Sequence, residues 1–185
     1  KPDTVEYATL DHIGFKSLNI GNARISGIEV ILAGNGKLFG IPVVFHTGYN
    51  YNYPVDLNYD KNDTTKTPAD RILKYRFHHS VKADVEFTYK RFSAGFNFIY
   101  RSFMLNVDSI FTDPFVGNLF LPGYPDYRET HKKGYILCDG RISYQLTTKF
   151  KVAFTMKNIF NKEYIGRPGD IGPPLNITLK LSVEL

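Results

Sequence analysis

The sequence predicts an all-β protein, built from the antiparallel up-and-down strands of a transmembrane β-barrel. Three observations point to this fold class: apolar and polar residues alternate along runs of about ten residues, the connections between runs are alternately short and long, and tyrosine and phenylalanine gather near the run ends. A tilted strand needs about 9–11 residues to cross a bilayer, whereas typical soluble strands have about 5–6. The length of the runs therefore favours a membrane barrel.

The first three predicted strands cover residues 14–20, 23–34 and 38–53. Gly21-Asn22 and Gly34-Asn35-Gly36 supply residue types that are typical of turns, and we expect them to connect these strands. Pro42 indicates a strand start or an irregularity, because proline cannot donate a hydrogen bond to a neighbouring strand.

The next two predicted strands, 81–90 and 94–103, form a hairpin. Along VKADVEFTYK, from Val81 to Lys90, the apolar residues occupy every second position and the charged residues and threonine lie between them. Because side chains of a strand point alternately to opposite sides, this run predicts one apolar and one polar face. Residues 91–93 are a short enough connection for a hairpin turn.

The last three predicted strands cover residues 135–146, 150–160 and 175–185, and a short Thr-Thr-Lys turn joins the first two. The final strand alternates most strictly, with an apolar residue at every second position up to Leu185. No segment shows a convincing helical period, so the sequence predicts about eight strands and no helix.

The predicted connections differ in length in a regular order. Short turns lie near 21–22, 34–37, 91–93 and 147–149, and long stretches lie near 54–74, 107–133 and 161–173. In an up-and-down arrangement alternate connections lie at the same end, so the long loops should gather at one end of the sheet. This asymmetry is typical of outer-membrane barrels.

Composition limits the classes of protein that remain. The 185 residues fit one domain, or part of a larger one, and no apolar run approaches the roughly 18 residues of a membrane-spanning helix. The net charge of +5 comes from interleaved acidic and basic residues, so no nucleic-acid partner is expected. Cys138 is the only cysteine, which excludes an internal disulfide and a thiolate metal cluster. The sequence begins at Lys1, with neither a methionine nor a signal peptide, so we expect its N-terminus to be processed or cut from a longer chain.

Alternation alone leaves a soluble β-protein open, because such a protein also has one apolar and one polar face. An interfacial girdle of aromatic residues is a feature of membrane barrels. The residues that we expect in such a girdle are Tyr49, Tyr51, Tyr53, Tyr100, Phe103 and Tyr135.

Three segments resemble TonB-dependent outer-membrane receptors. NIGNARISGIEV, residues 19–30, is similar to a barrel segment with a Gly-x-Glu pattern, and LKYRFHHSVKADVEFTYK is similar to the strand pair that follows, with Phe77 where proline is common. The most specific resemblance is NIFNKEY near the C-terminus, with Asn158, Phe160, Asn161 and Tyr164, followed by GRPGDIGPP. Pro173-Pro174 and the terminal Leu185 depart from the family's usual Pro-Arg and aromatic terminus.

The resemblance implies that residues 1–185 are the C-terminal segment of a barrel of 22 strands with a plugged lumen. The plug domain and the segment that contacts TonB would lie upstream, and the last strand would pair with the first strand of the barrel. The implied function is TonB-energised uptake of a scarce ligand, such as an iron chelate, haem, cobalamin or an oligosaccharide, by a multi-pass protein of the bacterial outer membrane. Outer-membrane lipid and lipopolysaccharide would surround it. Two alternatives stay open: an eight-stranded barrel acting as an adhesin or anchor, and a soluble ligand-binding β-barrel.

One long loop is predicted to contact the ligand, because it is rich in aromatic residues and lies at the long-loop end. The loop residues that we expect to contact the ligand are Phe120, Tyr124, Tyr127, Arg128 and His131. His131 with Lys132 and Lys133 could also meet an anionic ligand or lipopolysaccharide phosphates, although a solvated loop explains the same residues.

Other candidate sites are weaker. Gly34-Asn35-Gly36-Lys37 lacks the full spacing of a phosphate-binding loop, so we expect it to form a hairpin turn instead. His78 and His79 are adjacent on a predicted strand, so we expect them on opposite faces, unable to share a metal. Four charged residues fall on the predicted polar face, where we expect a cross-strand charge network and no substrate path: Asp139, Arg141, Lys157 and Glu184. No nucleophile–base pair is evident, so we expect no enzyme, no metal and no cofactor.

Overall fold

The computed structural model describes residues 21–184. The predicted strand at 14–20 and the terminal Leu185 lie outside the described residues. Seven antiparallel strands form one sheet in the order β1-β2-β3-β4-β5-β6-β9, and β7 and β8 form a separate small hairpin. The strands are β1 (Ala23–Leu38), β2 (Ile41–Asp56), β3 (His79–Tyr89), β4 (Phe92–Arg101), β5 (Tyr135–Gln145), β6 (Phe150–Lys157), β7 (Ile165–Arg167), β8 (Asp170–Ile171) and β9 (Asn176–Val183).

The sheet of the described residues is open, with β1 and β9 at its two edges. Each strand pairs with its neighbour in chain order until β6, which pairs with β9. The strands are therefore present as an up-and-down array, as predicted, and the sheet of residues 21–184 does not close on itself.

The first hairpin turns at a different place from the predicted one. Gly34, Asn35 and Gly36 lie inside β1, and the chain turns at Phe39 and Gly40, which both have positive φ angles (51° and 81°). A two-residue hairpin turn of this kind matches the twist of the flanking strands. Gly34 lies directly opposite Phe45, and a Cβ at Gly34 would lie 2.9 Å from that ring. The prediction of a turn at 34–37 was wrong because this glycine makes room for an aromatic ring across the strand pair.

The two faces of the sheet differ in chemistry. The register places Val81, Val85, Phe96 and Ile142 on one face, which we call the apolar face. Many large apolar side chains on it are exposed, for example Phe96 at 59% and Leu179 at 65%. Soluble proteins rarely expose such a continuous apolar surface, so we expect this face to be covered by lipid or by other parts of the protein.

The opposite, polar face carries a charge network. Arg141 donates two hydrogen bonds to Asp84 (2.7 and 2.9 Å) and two to Glu86 (3.0 and 2.9 Å), although β4 lies between β3 and β5. Gly95 on β4 faces both Arg141 and Glu86, and a Cβ there would lie 2.6 Å from the guanidinium. The glycine therefore lets Arg141 reach across an intervening strand. The predicted charge network of Arg141 with Asp139, Lys157 and Glu184 was wrong in its partners, because Arg141 pairs with the carboxylates of β3.

The connections alternate in length as predicted. Turns of two to four residues join β1 to β2, β3 to β4 and β5 to β6, and the long segments 57–78, 102–134 and 158–175 lie at the other end of the sheet. Most of the buried apolar side chains of the described residues lie at this loop end, namely Val55, Ile72, Leu73, Met104, Val107 and Tyr124. The loop end is thus a packed structure in its own right.

Two short helices contradict the prediction that the chain has none. They are α1 (Val116–Phe120) and α2 (Tyr124–Thr130), both in segment 102–134. Helices of five and seven residues are too short to show an amphipathic period, and three prolines interrupt this segment. Within residues 21–184 no helix has the length and apolar character to span a membrane.

Candidate functional site

The long segments 57–78 and 102–134 are joined by a polar cluster at the loop end. The carboxylate of Asp108 accepts hydrogen bonds from the ammonium group of Lys74 and from the hydroxyl of Tyr75. Asn106 donates from Nδ2 to the Ile72 carbonyl over 2.7 Å, and its own carbonyl accepts the Tyr75 N–H over 2.9 Å. These contacts hold the two segments in one arrangement.

The pKa values of Asp108 and Tyr75 set the range of pH over which the cluster is stable. Burial opposes the charged form of Asp108, but the hydrogen bonds from Lys74 and Tyr75 outweigh it and lower the pKa of this carboxyl below 3.8. Burial, with the hydrogen bond to Asp108, raises the pKa of Tyr75 to about 12. Asp108 therefore stabilises the cluster fully above the pKa that it has in the unfolded chain, and this stabilisation is lost as pH falls through its lower pKa in the folded protein. Tyr75 stabilises the cluster below its unfolded pKa, and its contribution is lost as pH rises towards 12.

We expect Tyr75→Phe to weaken the connection between the segments by about 1 kcal/mol at pH 7, because one partly exposed hydrogen bond to a carboxylate is lost. Amide hydrogen exchange of residues 102–134, corrected for intrinsic rates, should accelerate about fivefold. The difference between variant and wild type should shrink as pH falls through the lowered pKa of Asp108 and its carboxylate becomes protonated. Tyr59→Phe, in the same segment without a side-chain hydrogen bond among the described residues, is the matched control. Equal exchange in all three proteins would contradict this role.

The aromatic residues predicted to contact ligand pack largely against the loop itself. Tyr124 is buried at 5% exposure. Tyr127 accepts a hydrogen bond on its hydroxyl from the Ile165 N–H (3.1 Å) and stacks on His131 with ring centroids 4.2 Å apart. Phe120 ends α1 and is half-buried. The hydrogen bond of Tyr127 connects α2 to β7.

Arg128 is also engaged within the loop. Its guanidinium lies 4.5 Å from the centre of the Phe103 ring and donates to the Met104 carbonyl over 3.0 Å. The structure thus gives Arg128 and its neighbours a scaffolding role, and their contact with a ligand stays a prediction.

Asn158 of the C-terminal motif shapes the turn after β6. It is 4% exposed, and its φ angle of 50° is in the left-handed region that asparagine tolerates. Its Nδ2 donates to the carbonyls of Lys162 (2.8 Å) and Pro173 (3.1 Å), its Oδ1 accepts the Lys162 N–H (2.9 Å), and its own N–H donates to Asp139 (2.8 Å). Asn158 therefore fixes the path from β6 into segment 158–175.

The other motif residues extend this arrangement. Asn161 also has a positive φ (46°), and its Oδ1 accepts the N–H of Leu175 over 2.9 Å, just before β9. The Tyr164 ring lies 5.1 Å from that of Tyr135, while Phe160 is exposed.

Because Tyr135 lies opposite Arg101 in the register, it belongs to the polar face, so its predicted place in a lipid-facing girdle was wrong.

A basic cavity of about 310 Å³ lies on the polar face at the loop end. Three arginines from separate segments line it: Arg76 before β3, Arg101 at the end of β4, and Arg167 in β7. We call this the arginine cavity. Asn52, Ser80, Tyr75 and Phe77 complete the polar and aromatic lining, and Asp170 is the one carboxylate among the lining residues.

The positive charge of the arginine cavity is only partly offset within the described part of the chain, by Asp170. Neither Arg76, Arg101 nor Arg167 forms an ion pair with a carboxylate of residues 21–184. Arg101 lies over the Phe77 ring at 5.1 Å, which orients its guanidinium. Guanidinium groups bind planar oxygen anions through paired N–H donors, so the cavity can hold an anionic ligand.

Sequence reasoning missed these arginines. The only available signals were that Arg101 lies at the loop end of a strand, opposite its apolar positions, and that Arg167 lies in a Gly/Pro-rich loop. Their proximity depends on the register of β3 with β4 and on the folding of segment 158–175 over the sheet.

The two adjacent histidines lie on the same side, contrary to prediction. His79 begins β3, but His78 precedes the strand at a bend, so strict alternation does not apply to it. Both imidazoles contact the Tyr51 ring, at 6.5 Å for His78 and 5.0 Å for His79. Residues 21–184 bring together no group of three His, Cys, Asp or Glu side chains that could hold a metal ion.

Comparison with known proteins gives consistent matches. Residues 2–159 match the family model of the TonB dependent receptor-like β-barrel. Similar solved structures include the ferric-catecholate import receptor Fiu from K12 E. coli (18% identity, TM-score 0.61) and P. aeruginosa FpvA bound to heterologous pyoverdines (16% identity, TM-score 0.57). Each match covers 87% of this chain but only 21% and 19% of those chains, so the chain spans about a fifth of their length. No curated protein sequence matches it.

Proposed function

We propose that this chain, which belongs to the TonB-dependent receptor β-barrel family, forms one sector of the wall of a bacterial outer-membrane importer for an anionic iron chelate. The strands would cross the outer membrane, with the apolar face towards lipid and the polar face towards the lumen. A plug and its contact with TonB, elsewhere in the protein, would supply the energised step. Because the chain spans about a fifth of its structural relatives, transport by the whole protein is part of the proposal.

The arginine cavity is the observation that carries the proposal. It opens on the polar face at the end where the long segments gather, which is the extracellular end in outer-membrane barrels. Three guanidinium groups against one carboxylate leave a surplus of positive charge there. Neutral ligands such as oligosaccharides gain little from that charge, so an anionic ligand is favoured among the classes that the family resemblance allows.

Aromatic rings beside the cavity suit a chelate with planar ring ligands. Phe77 and Tyr135 meet edge to face at 6.1 Å, and Tyr135 and Tyr164 meet at 5.1 Å. Such rings offer stacking surface next to the cationic groups. The similar structures, a ferric-catecholate import receptor and a receptor in complex with iron and a pyoverdine, support iron chelates as the ligand class.

Uptake of radiolabelled iron tests the proposal. Cells that carry the full-length receptor, in a strain without other iron-chelate receptors, should accumulate iron from a trianionic ferric tris-catecholate. Collapse of the proton gradient should abolish this uptake. Uptake equal to that of the strain without the receptor would contradict the proposal.

A further inference from the structure

A second basic site lies on the opposite, apolar face. A groove of about 410 Å³ opens there at the loop end, next to Tyr100, Phe103 and Leu105. Lys132 and Lys133, which follow α2, line the same groove. We call it the outer groove. Tyr100 lies opposite Val81 in the register and therefore shares the face of Phe96 and Phe98.

The position of the outer groove corresponds to the lipid headgroup level. Tyr100 is four residues beyond Phe96 along β4, which is about 13 Å at the usual rise of a strand. Aromatic residues border the apolar band of membrane barrels, and Tyr49 and Tyr51 lie on this face beside the groove, in contact with His79. The lysines thus follow directly after the apolar surface, where lipid phosphates lie.

The backbone bend before β3 builds the wall of the groove. Ser102 Oγ accepts the N–H groups of both His78 and His79 at 3.1 Å, which holds the two imidazoles on the same side. Burial, and to a lesser extent the charge of the neighbouring His79, lowers the pKa of His78 and so disfavours its charged form. Lys132 and Lys133 supply permanent positive charge at the groove.

The two lysines differ in their partners. Lys132 forms an exposed ion pair with Glu129 at 2.6 Å, which contributes little in water and can exchange for another anion. Lys133 is exposed and pairs with no carboxylate of residues 21–184. Long lysine side chains can lie along an apolar surface while the ammonium group reaches the headgroup layer.

We propose that the outer groove binds a phosphate group of an outer-leaflet membrane lipid, with Lys133 and Lys132 as the cationic ligands and Phe103 and Leu105 against the adjoining apolar part. This site is separate from the arginine cavity, since it lies on the other face of the sheet. The inference depends on the apolar face meeting lipid and not on which ligand is imported.

Retention of lipid by the purified receptor tests the inference. The full-length receptor is reconstituted in nanodiscs of phosphatidylcholine with trace bisphosphorylated lipid A, and the lipid that remains bound after detergent exchange is counted by mass spectrometry. We expect lipid A to be enriched over phosphatidylcholine, and K132Q/K133Q to weaken its binding about tenfold. The matched control K151Q/K180Q removes two lysines of the polar face and should retain lipid A like wild type.

Two outcomes would overturn the inference. Equal retention of lipid A by wild type and K132Q/K133Q would show that the lysines do not bind it. Displacement of lipid A by millimolar inorganic phosphate would assign the groove to free phosphate instead of lipid. Both readouts are independent of iron uptake, so failure here is distinguishable from failure of the proposed transport function.

Discussion

The triple variant R76Q/R101Q/R167Q is expected to bind a trianionic ferric tris-catecholate about 100-fold more weakly than wild type. Each guanidinium that lines the arginine cavity should contribute about 1 kcal/mol to binding of a multiply charged anion at a hydrated, salt-screened site, so the loss is about 3 kcal/mol. Isothermal titration of the full-length receptor measures it. The weakening should diminish as ionic strength rises.

The control for this prediction is R24Q/R71Q/R91Q. It removes the same formal charge from positions that do not line the cavity. Arg91 lies at the opposite, short-turn end, where it donates to the Leu146 carbonyl. If both triple variants weakened binding equally, the effect would come from net charge, and the arginine cavity would not be the binding site.

Asn158→Ala is expected to cost about 3–4 kcal/mol in the free energy of unfolding of the C-terminal strands. The side chain makes three hydrogen bonds in a buried turn, each worth about 1 kcal/mol, and alanine tolerates the left-handed backbone less well. Urea titration of the full-length receptor in lipid vesicles, followed by gel mobility without heating, measures the change.

Asn35→Ala is the matched control, because Asn35 lies in β1 and makes no side-chain hydrogen bond with the described residues. It should change stability by less than about 0.5 kcal/mol, as surface substitutions usually do. An equal effect of the two substitutions would show that Asn158 has no special role in the turn.

Sequence reasoning predicted the regular parts of the fold because alternation reports the faces of a strand directly. The hairpin of β3 and β4 lies within two residues of its predicted ends, since Val81 to Lys90 alternates without interruption. Alternation failed at Gly34 and His78, where local space and a bend decide the conformation. A glycine opposite Phe45 and a glycine in a turn look the same in sequence.

The candidate sites were less accessible to sequence. The predicted aromatic loop exists, but Tyr124 and Tyr127 stabilise it internally, which depends on how α2 packs against β7. Arg76, Arg101 and Arg167 are far apart in the chain and meet only through folding of the loop end. In contrast, Lys132 and Lys133 were noted from sequence as an anion-binding candidate, and the structure adds that they line a groove on the apolar face.

The uptake assay, extended to chelates of different charge, tests the central claim most directly. Cells that carry the full-length receptor are given iron as a trianionic tris-catecholate or as a neutral tris-hydroxamate, with and without a proton gradient. We predict energised uptake of the trianionic chelate and at least tenfold less uptake of the neutral one, because the arginine cavity attracts only the former. Equal uptake of both chelates, or uptake that persists without the gradient, would contradict the account.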